Sequence, residues 1–270
     1  MLLWHVTRAD SPLIVSVPHA GRHVPDAIAL RLSARARDVP DTDWHVDELY
    51  RFAPSIGATL LTATHSRYVV DLNRDPSGKA LYPGADNTEL CPTRTFCNEP
   101  VYRPGEAPSM AEIDARRATY FDPYHALLAR EIDRVRDWHG YAMLVDGHSI
   151  ASEVPRFFAG RLPDLNLGTG DGASCDAAAQ ALAAGIVSSA AGFTHVVNGR
   201  FKGGWTTRHH GAPEAGIHAI QMELAMRGYL AEPLEPKPEN WPPRPDPARL
   251  AHLQPILKRV LDACLAFAGE

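Results

Sequence analysis

Short apolar runs set between helical patterns are the feature that most limits what this chain can fold into. Leu13–Val17, Thr59–Leu61, Tyr68–Val70, Ala142–Val145, His195–Val197 and Ile217–Leu224 read as buried strands. Runs that do not alternate strictly with polar residues suit strands covered on both faces, as in parallel sheets. Helical patterns fall between them. Asp43–Ala53 carries Val46, Leu49 and Phe52 at helical spacing, with Thr42 or Asp43 as N-cap. Ser109–Trp138 is a long helical stretch with a break expected at Pro123, and Ser174–Ala190 is alanine-rich. Arg249–Phe267 reads as a closing helix with Pro255 in or near its first turns. Strands alternating with helices predict an α/β fold: a single domain whose mixed, mostly parallel sheet is flanked by helices. A length of 270 residues does not demand a second domain. The segments Asp75–Pro108 and Glu232–Pro247 are too long for ordinary connections and read as lids or edge wraps.

Charge and composition narrow the partners. A net charge of -5 speaks against nucleic acid, which calls for a concentrated basic surface. No apolar stretch approaches the roughly 20 residues of a membrane span. The opening segment lacks a basic start, and prolines bound its apolar run, so it does not read as a signal peptide. Cys91, Cys97, Cys175 and Cys264 form no close pair, apart from a conceivable Cys91–Cys97 bridge, and are read as reduced thiols. The expectation is a cytoplasmic protein, a monomer or small homo-oligomer, that binds neither nucleic acid nor membrane.

Chemistry collects just past the strands. The first run leads into His19 and Gly21, Tyr68–Val70 into Asn73 and Arg74, and Ala142–Val145 into Asp146 and His148; Glu223 sits near the end of the last run. Ligands of open parallel sheets bind outside the carboxyl ends of the strands. One histidine in a turn carries little weight, but two at separate strand ends suit zinc. Catalytic zinc commonly takes two histidines and a carboxylate and keeps one position open for water. Asp146, two residues from His148, is placed to orient that ring. For the acid, Asp43 and Asp47 lie four apart on the expected helix. Asp47 is favoured as ligand and Asp43 as cap or support, with His45 off that face. Glu223 in an apolar run reads as a general base beside water. Arg67 and Arg74 offer guanidinium forks for carboxylates, and the glycine-rich loop with Arg200, Lys202, Arg208 and His209 reads as an anion grip.

The stretches SVPHAGRHVP (16–25), DTDWHVDELY (41–50), SRYVVDLNRDP (66–76), LYPG (81–84), DGHSI (146–150), NGRFKGGWTTRHHG (198–211) and HAIQMELAMRGYL (218–230) resemble those of N-formylglutamate amidohydrolases. That family is similar in fold to zinc carboxypeptidases and aminoacylases. The resemblance implies zinc, with cobalt or manganese as substitutes, on His19, Asp47 and His148. It implies Glu223 as base, Arg67 at the oxyanion, and Asn73 with Arg74 on the substrate α-carboxylate. Arg200, with Arg208 or His209, would take the side-chain carboxylate. The expected reaction is hydrolysis of N-formyl-L-glutamate, the last step of a histidine-degradation route. The alternatives are hydrolysis of another small anionic N-acyl amino acid or a metal-binding relative that has lost catalysis. His19 and Asp47 are far apart in sequence, unlike the compact HxxE of carboxypeptidases, and this leaves Asp43 against Asp47 open.

Overall fold

A computed structural model describes residues 1–234 and 237–267. Its strands are β1 (Trp4–Thr7), β2 (Leu13–Val17), β3 (Thr59–Ala63), β4 (Ala142–Ile150), β5 (Leu165–Gly168), β6 (His195–Val197) and β7 (Ile217–Ala225). They form one seven-stranded sheet in the order β1-β3-β2-β4-β7-β5-β6. The central block β3-β2-β4-β7 is parallel, β1 joins antiparallel at one edge, and β5 joins β7 antiparallel before pairing in parallel with β6. The α-helices are α1 (Asp26–Ala29), α2 (Val46–Leu49), α3 (Met110–Arg116), α4 (Asp122–His139), α5 (Ala177–Ser188), α6 (Trp205–His210) and α7 (Pro247–Ala266).

The period-two geometry of a strand divides the apolar runs between two cores. Leu13, Val15 and Val17 of β2, Met143 and Val145 of β4, and Ile220, Met222 and Leu224 of β7 face one side, where Leu253, Leu257 and Leu261 of α7 and Ala179 and Ala183 of α5 cover them. Ile14, Leu144 and Ala219 face the other, against Leu127, Leu128 and Ile132 of α4. The sheet is therefore covered on both faces, and its strand ends are left to carry polar chemistry.

Several elements depart from the sequence reading. Tyr68–Val70 is buried but is a turn, not a strand, with Val69 N–H donating to Ser66 O at 2.9 Å. The stretch 43–53 is a single helical turn, α2, because His45 adopts a left-handed backbone (φ 61°) that separates Asp43 from it. The long helix does not break at Pro123. A π-helical turn over Arg117–Phe121 joins α3 to α4 and takes up the proline, whose ring and missing N–H disfavour an ordinary helix interior. β1 and β5 are strands not anticipated. All four cysteines are free. Among the described residues no helix is long and apolar enough to cross a membrane. In the segment 232–247, Glu232 accepts from Ser152 N–H at 2.7 Å, and Trp241 donates from Nε1 to Pro40 O at 2.9 Å, so its described part wraps the body; residues 235 and 236 lie outside the described residues.

Candidate metal centre and active-site cleft

His19, two residues beyond β2, and His148, within β4, are brought side by side because β2 and β4 are neighbours; their ring centroids are 4.9 Å apart. Asp43 enters from the loop ahead of α2, its backbone N–H held by His19 O at 3.1 Å. Asp43 Oδ2 lies 3.0 Å from His148 Nδ1 and 3.8 Å from His19 Nδ1. One donor atom from each of these three buried residues lies within 4.8 Å of the others. Asp47 is not among them. It sits exposed on α2, because the kink at His45 turns the two acids in different directions.

The set fits a divalent cation. His19 Nδ1 is buried with no hydrogen-bond partner among the described residues. Its Nε2 is held by Asp71 Oδ1 at 2.8 Å, and His148 Nε2 by Asp146 Oδ2 at 2.8 Å. Carboxylates behind both rings fix the tautomers that aim Nδ1 at a metal. Arg67 donates to Asp43 Oδ1, and Ser149 N–H donates to Oδ2 at 3.2 Å. Burial, reinforced by the Arg67 guanidinium, holds the His19 pKa below its usual value and keeps the ring neutral. Burial opposes charge on Asp43, but Arg67 and the hydrogen bond to His148 outweigh it and keep the carboxyl ionised. For His148 burial is likewise overcome, here by Asp146 and Asp43, so its pKa is raised; a metal would have to displace that proton.

Glu223 pairs in register with His148 on the adjacent parallel strand, which puts its side chain on the same face beside the cluster. Burial pushes its carboxyl up to about 7, with His148 opposing and Asp43 assisting. Gln221, two residues back on the same face, donates from Nε2 to Glu223 Oε2 at 3.0 Å and accepts from Gly204 N–H at 2.7 Å. Its amide oxygen also lies 3.4 Å from Asn73 Nδ2. Gln221 was not anticipated; its two-residue spacing from Glu223 was the available signal.

A cleft of about 550 Å³ opens onto these groups, and Arg67, Asn73, Arg74, Arg200, Gln221 and Glu223 all line it. The turn at 67–70 delivers Arg67 and Asn73 to the cleft much as a strand would have. Asn73 Oδ1 accepts from Thr206 N–H at 2.8 Å. Arg74 Nε donates to Thr88 Oγ1 at 2.7 Å, so the 75–108 segment supplies a wall of the cleft. Behind this loop, His125 Nε2 lies 2.8 Å from Leu72 O and its Nδ1 lies 3.1 Å from His210 Nε2, so α4 and α6 grip the 71–74 turn. Arg208 and His209 do not line the cleft. Both are exposed on α6, His209 stacked on Trp205 with centroids 4.5 Å apart. A helical turn so close after Gly204 rotates them away from the face that carries Thr206.

A neutral imidazole, a second whose proton a metal would displace, an ionised carboxylate and a carboxyl poised near neutrality face a wall that carries Arg74 and Arg200. That combination suits hydrolysis of a small anionic amide. The sequence profile of a family described as N-formylglutamate amidohydrolase matches residues 11–230. The chain is 46% identical over 259 residues to an N-formylglutamate deformylase of Pseudomonas putida, covering 96% of this chain and 94% of that protein. It is 48% identical over 225 residues to an N-formylglutamate deformylase of Pseudomonas aeruginosa, covering 83% and 84%. The crystal structure of an N-formylglutamate amidohydrolase from Ralstonia eutropha superposes with a TM-score of 0.78 at 24% identity over 97% of each chain, a likeness that speaks to the fold.

Proposed function

Because the chain belongs to the N-formylglutamate amidohydrolase family, we propose that it hydrolyses N-formyl-L-glutamate to formate and L-glutamate with a divalent metal on His19, Asp43 and His148. The observation that carries the metal is the buried, unpartnered Nδ1 of His19 facing Asp43 and His148. Zinc suits two imidazoles and a carboxylate, and cobalt or manganese fit the same donors. When bound, such a cation supplies Lewis acidity, which makes water more acidic and the formyl carbonyl more electrophilic.

The chain's own groups supply the rest. Glu223, with its carboxyl held near neutrality, takes a proton from the attacking water and returns it to the leaving nitrogen as the C–N bond breaks. Gln221 occupies Oε2 of that carboxylate, which leaves Oε1 for the proton. Arg67, whose buried Nε has no partner among the described residues, donates to the oxyanion; one preorganised donor contributes about 3 kcal/mol. Asn73 and Arg74 hold the α-carboxylate and Arg200 the side-chain carboxylate. Four free thiols accord with a reducing cytoplasm, where the reaction would end a histidine-degradation route.

The test is formate release from N-formyl-L-glutamate by native and Glu223→Gln protein, each with and without chelator. Glu223→Gln is expected to keep its metal and lose roughly 10²–10⁴-fold in kcat. Native-rate turnover by metal-loaded Glu223→Gln would remove the base role. Turnover indifferent to a chelator that strips the metal would remove the metal.

A further inference from the structure

One part of the cleft lining is made where two loops meet on one side chain, Tyr82. The side-chain amide of Asn87 clamps its main chain from both directions: Tyr82 N–H donates to Asn87 Oδ1 at 3.0 Å, and Asn87 Nδ2 donates to Tyr82 O at 2.8 Å. The hydroxyl accepts from Lys202 N–H at 3.2 Å and reaches Gly203 O at 3.5 Å. Two guanidinium groups attend the ring, Arg200 at 4.7 Å and Arg208 at 5.2 Å from its centroid. Arg208 also donates to Leu81 O at 3.1 Å and to Gly203 O at 2.9 Å. From outside the cleft, it fastens the segment that carries Tyr82 to the 198–211 loop.

Arg200 needs such support. Its Nε is committed to Phe157 O at 2.7 Å, and among the described residues no carboxylate forms an ion pair with it. Burial disfavours its charge, Tyr82 opposes that, and the nearby Arg74 adds to it against Glu223, with the net shift downward. The electron-rich face of an aromatic ring holds a cation without neutralising it or occupying its N–H groups, and Tyr82 offers the nearest such face, ahead of Phe201 at 5.3 Å and Phe157 at 5.9 Å. A carboxylate partner would instead have competed with an anionic ligand for the same fork. We propose that Tyr82 is a positioning residue that holds Arg200 toward the side-chain carboxylate of the substrate, and thereby sets the preference for dicarboxylic over neutral N-acyl amino acids. This rests on the role given to Arg200 above.

Ring and hydroxyl have separable duties, since the ring holds the cation and the hydroxyl holds the Lys202 backbone. The test compares kcat/KM for N-formyl-L-glutamate and its neutral isostere N-formyl-L-glutamine in metal-loaded native, Arg200→Met, Tyr82→Phe and Tyr82→Leu proteins. The quantity read is the ratio of the two values. Arg200→Met should lower it about a hundredfold, the loss of a charged hydrogen-bonding partner. Tyr82→Leu should lower it about tenfold through KM, whereas Tyr82→Phe keeps the ring and most of the ratio. Tyr82→Met replaces the leucine protein, with the same readings, if that one does not fold. An unchanged ratio in Arg200→Met overturns the role of Arg200 and the inference with it. A collapsed ratio in Arg200→Met beside an unchanged one in Tyr82→Leu, including equal slowing of both substrates, overturns the role of Tyr82 alone.

Discussion

Replacing Asp43 or Asp47 by asparagine separates two acids that the sequence presents as near equivalents. Asp43 Oδ2 lies 3.0 Å from His148 Nδ1, and Oδ1 accepts from the buried Arg67. Asp43→Asn keeps the shape but removes the one anionic donor of the proposed metal set. Loss of a group merely behind a ligand costs about 10–100-fold in metal affinity, so loss of the ligand charge itself should cost at least about a hundredfold. The same change strips Arg67 of its nearer counter-charge. Breaking a buried pair costs roughly 3–5 kcal/mol, and Asp71, still 3.7 Å from Arg67, holds the expected stability loss of the apoprotein to about 3 kcal/mol. Asp47 is exposed and makes no hydrogen bond or ion pair among the described residues, so Asp47→Asn should stay within about 0.5 kcal/mol and keep its metal. Metal content after dialysis, read with urea unfolding of the stripped proteins, measures both quantities. Asp43→Asn protein that retains metal like the native chain, beside an Asp47→Asn protein that loses it, would refute the assignment.

Four further outcomes follow from the structure. Since Glu223 acts as a base only when ionised and its carboxyl sits at about 7, kcat/KM should fall with decreasing pH through about 7 and lose that limb in Glu223→Gln; an acid limb near the ordinary glutamate value in the native enzyme would contradict this. A Cβ on Gly204 would collide with the Asn73 amide, so Gly204→Ala should cost at least about tenfold in activity. A Cβ on Gly185, by contrast, meets open space on α5, and Gly185→Ala should add roughly 0.5–1 kcal/mol in thermal unfolding. Burial holds His125 at about 4, below the unfolded histidine value, so acidification protonates the unfolded chain first. Its contribution is therefore intact above about 6.5 and is lost as pH falls towards about 4, the loss reaching about 2 kcal/mol by pH 5. Urea unfolding at pH 7 and pH 5 should show a shallower pH dependence in His125→Gln; equal dependences would refute it.

The sheet was legible where burial on both faces leaves a mainly apolar run, as in β2, β4 and β7. β1 and β5 were not. β1 is an edge strand with alternating exposure, and β5, LNLG, has only two apolar side chains to announce it. Tyr68–Val70 is apolar because it is buried, and burial alone does not distinguish a strand from a turn. The histidines and Glu223 were legible because strand ends converge in any parallel sheet. The choice between Asp43 and Asp47 depended on the left-handed backbone at His45, which helical periodicity does not encode. Arg208 and His209 looked like part of the anion grip because the loop was read as continuous, whereas α6 begins within it and turns them outward. Gln221 and Tyr82 carry no charge and so stood outside a reading based on charges.

The widened turn at Arg117–Phe121 has a consequence for how this chain tolerates change in length. In a regular helix an extra residue advances every later side chain by about 100° around the axis, whereas the wider π turn absorbs it. The rotational phase that points His125 at Leu72 O is thus kept despite a surplus residue several positions upstream. Deleting one residue from 117–121 would restore regular winding with that imidazole still on the 71–74 turn, whereas a deletion in the regular turns after His125 would turn a different stripe of α4 toward Leu144. Shortening by one residue, ordinarily damaging inside a helix, would here be tolerated beneath the cleft.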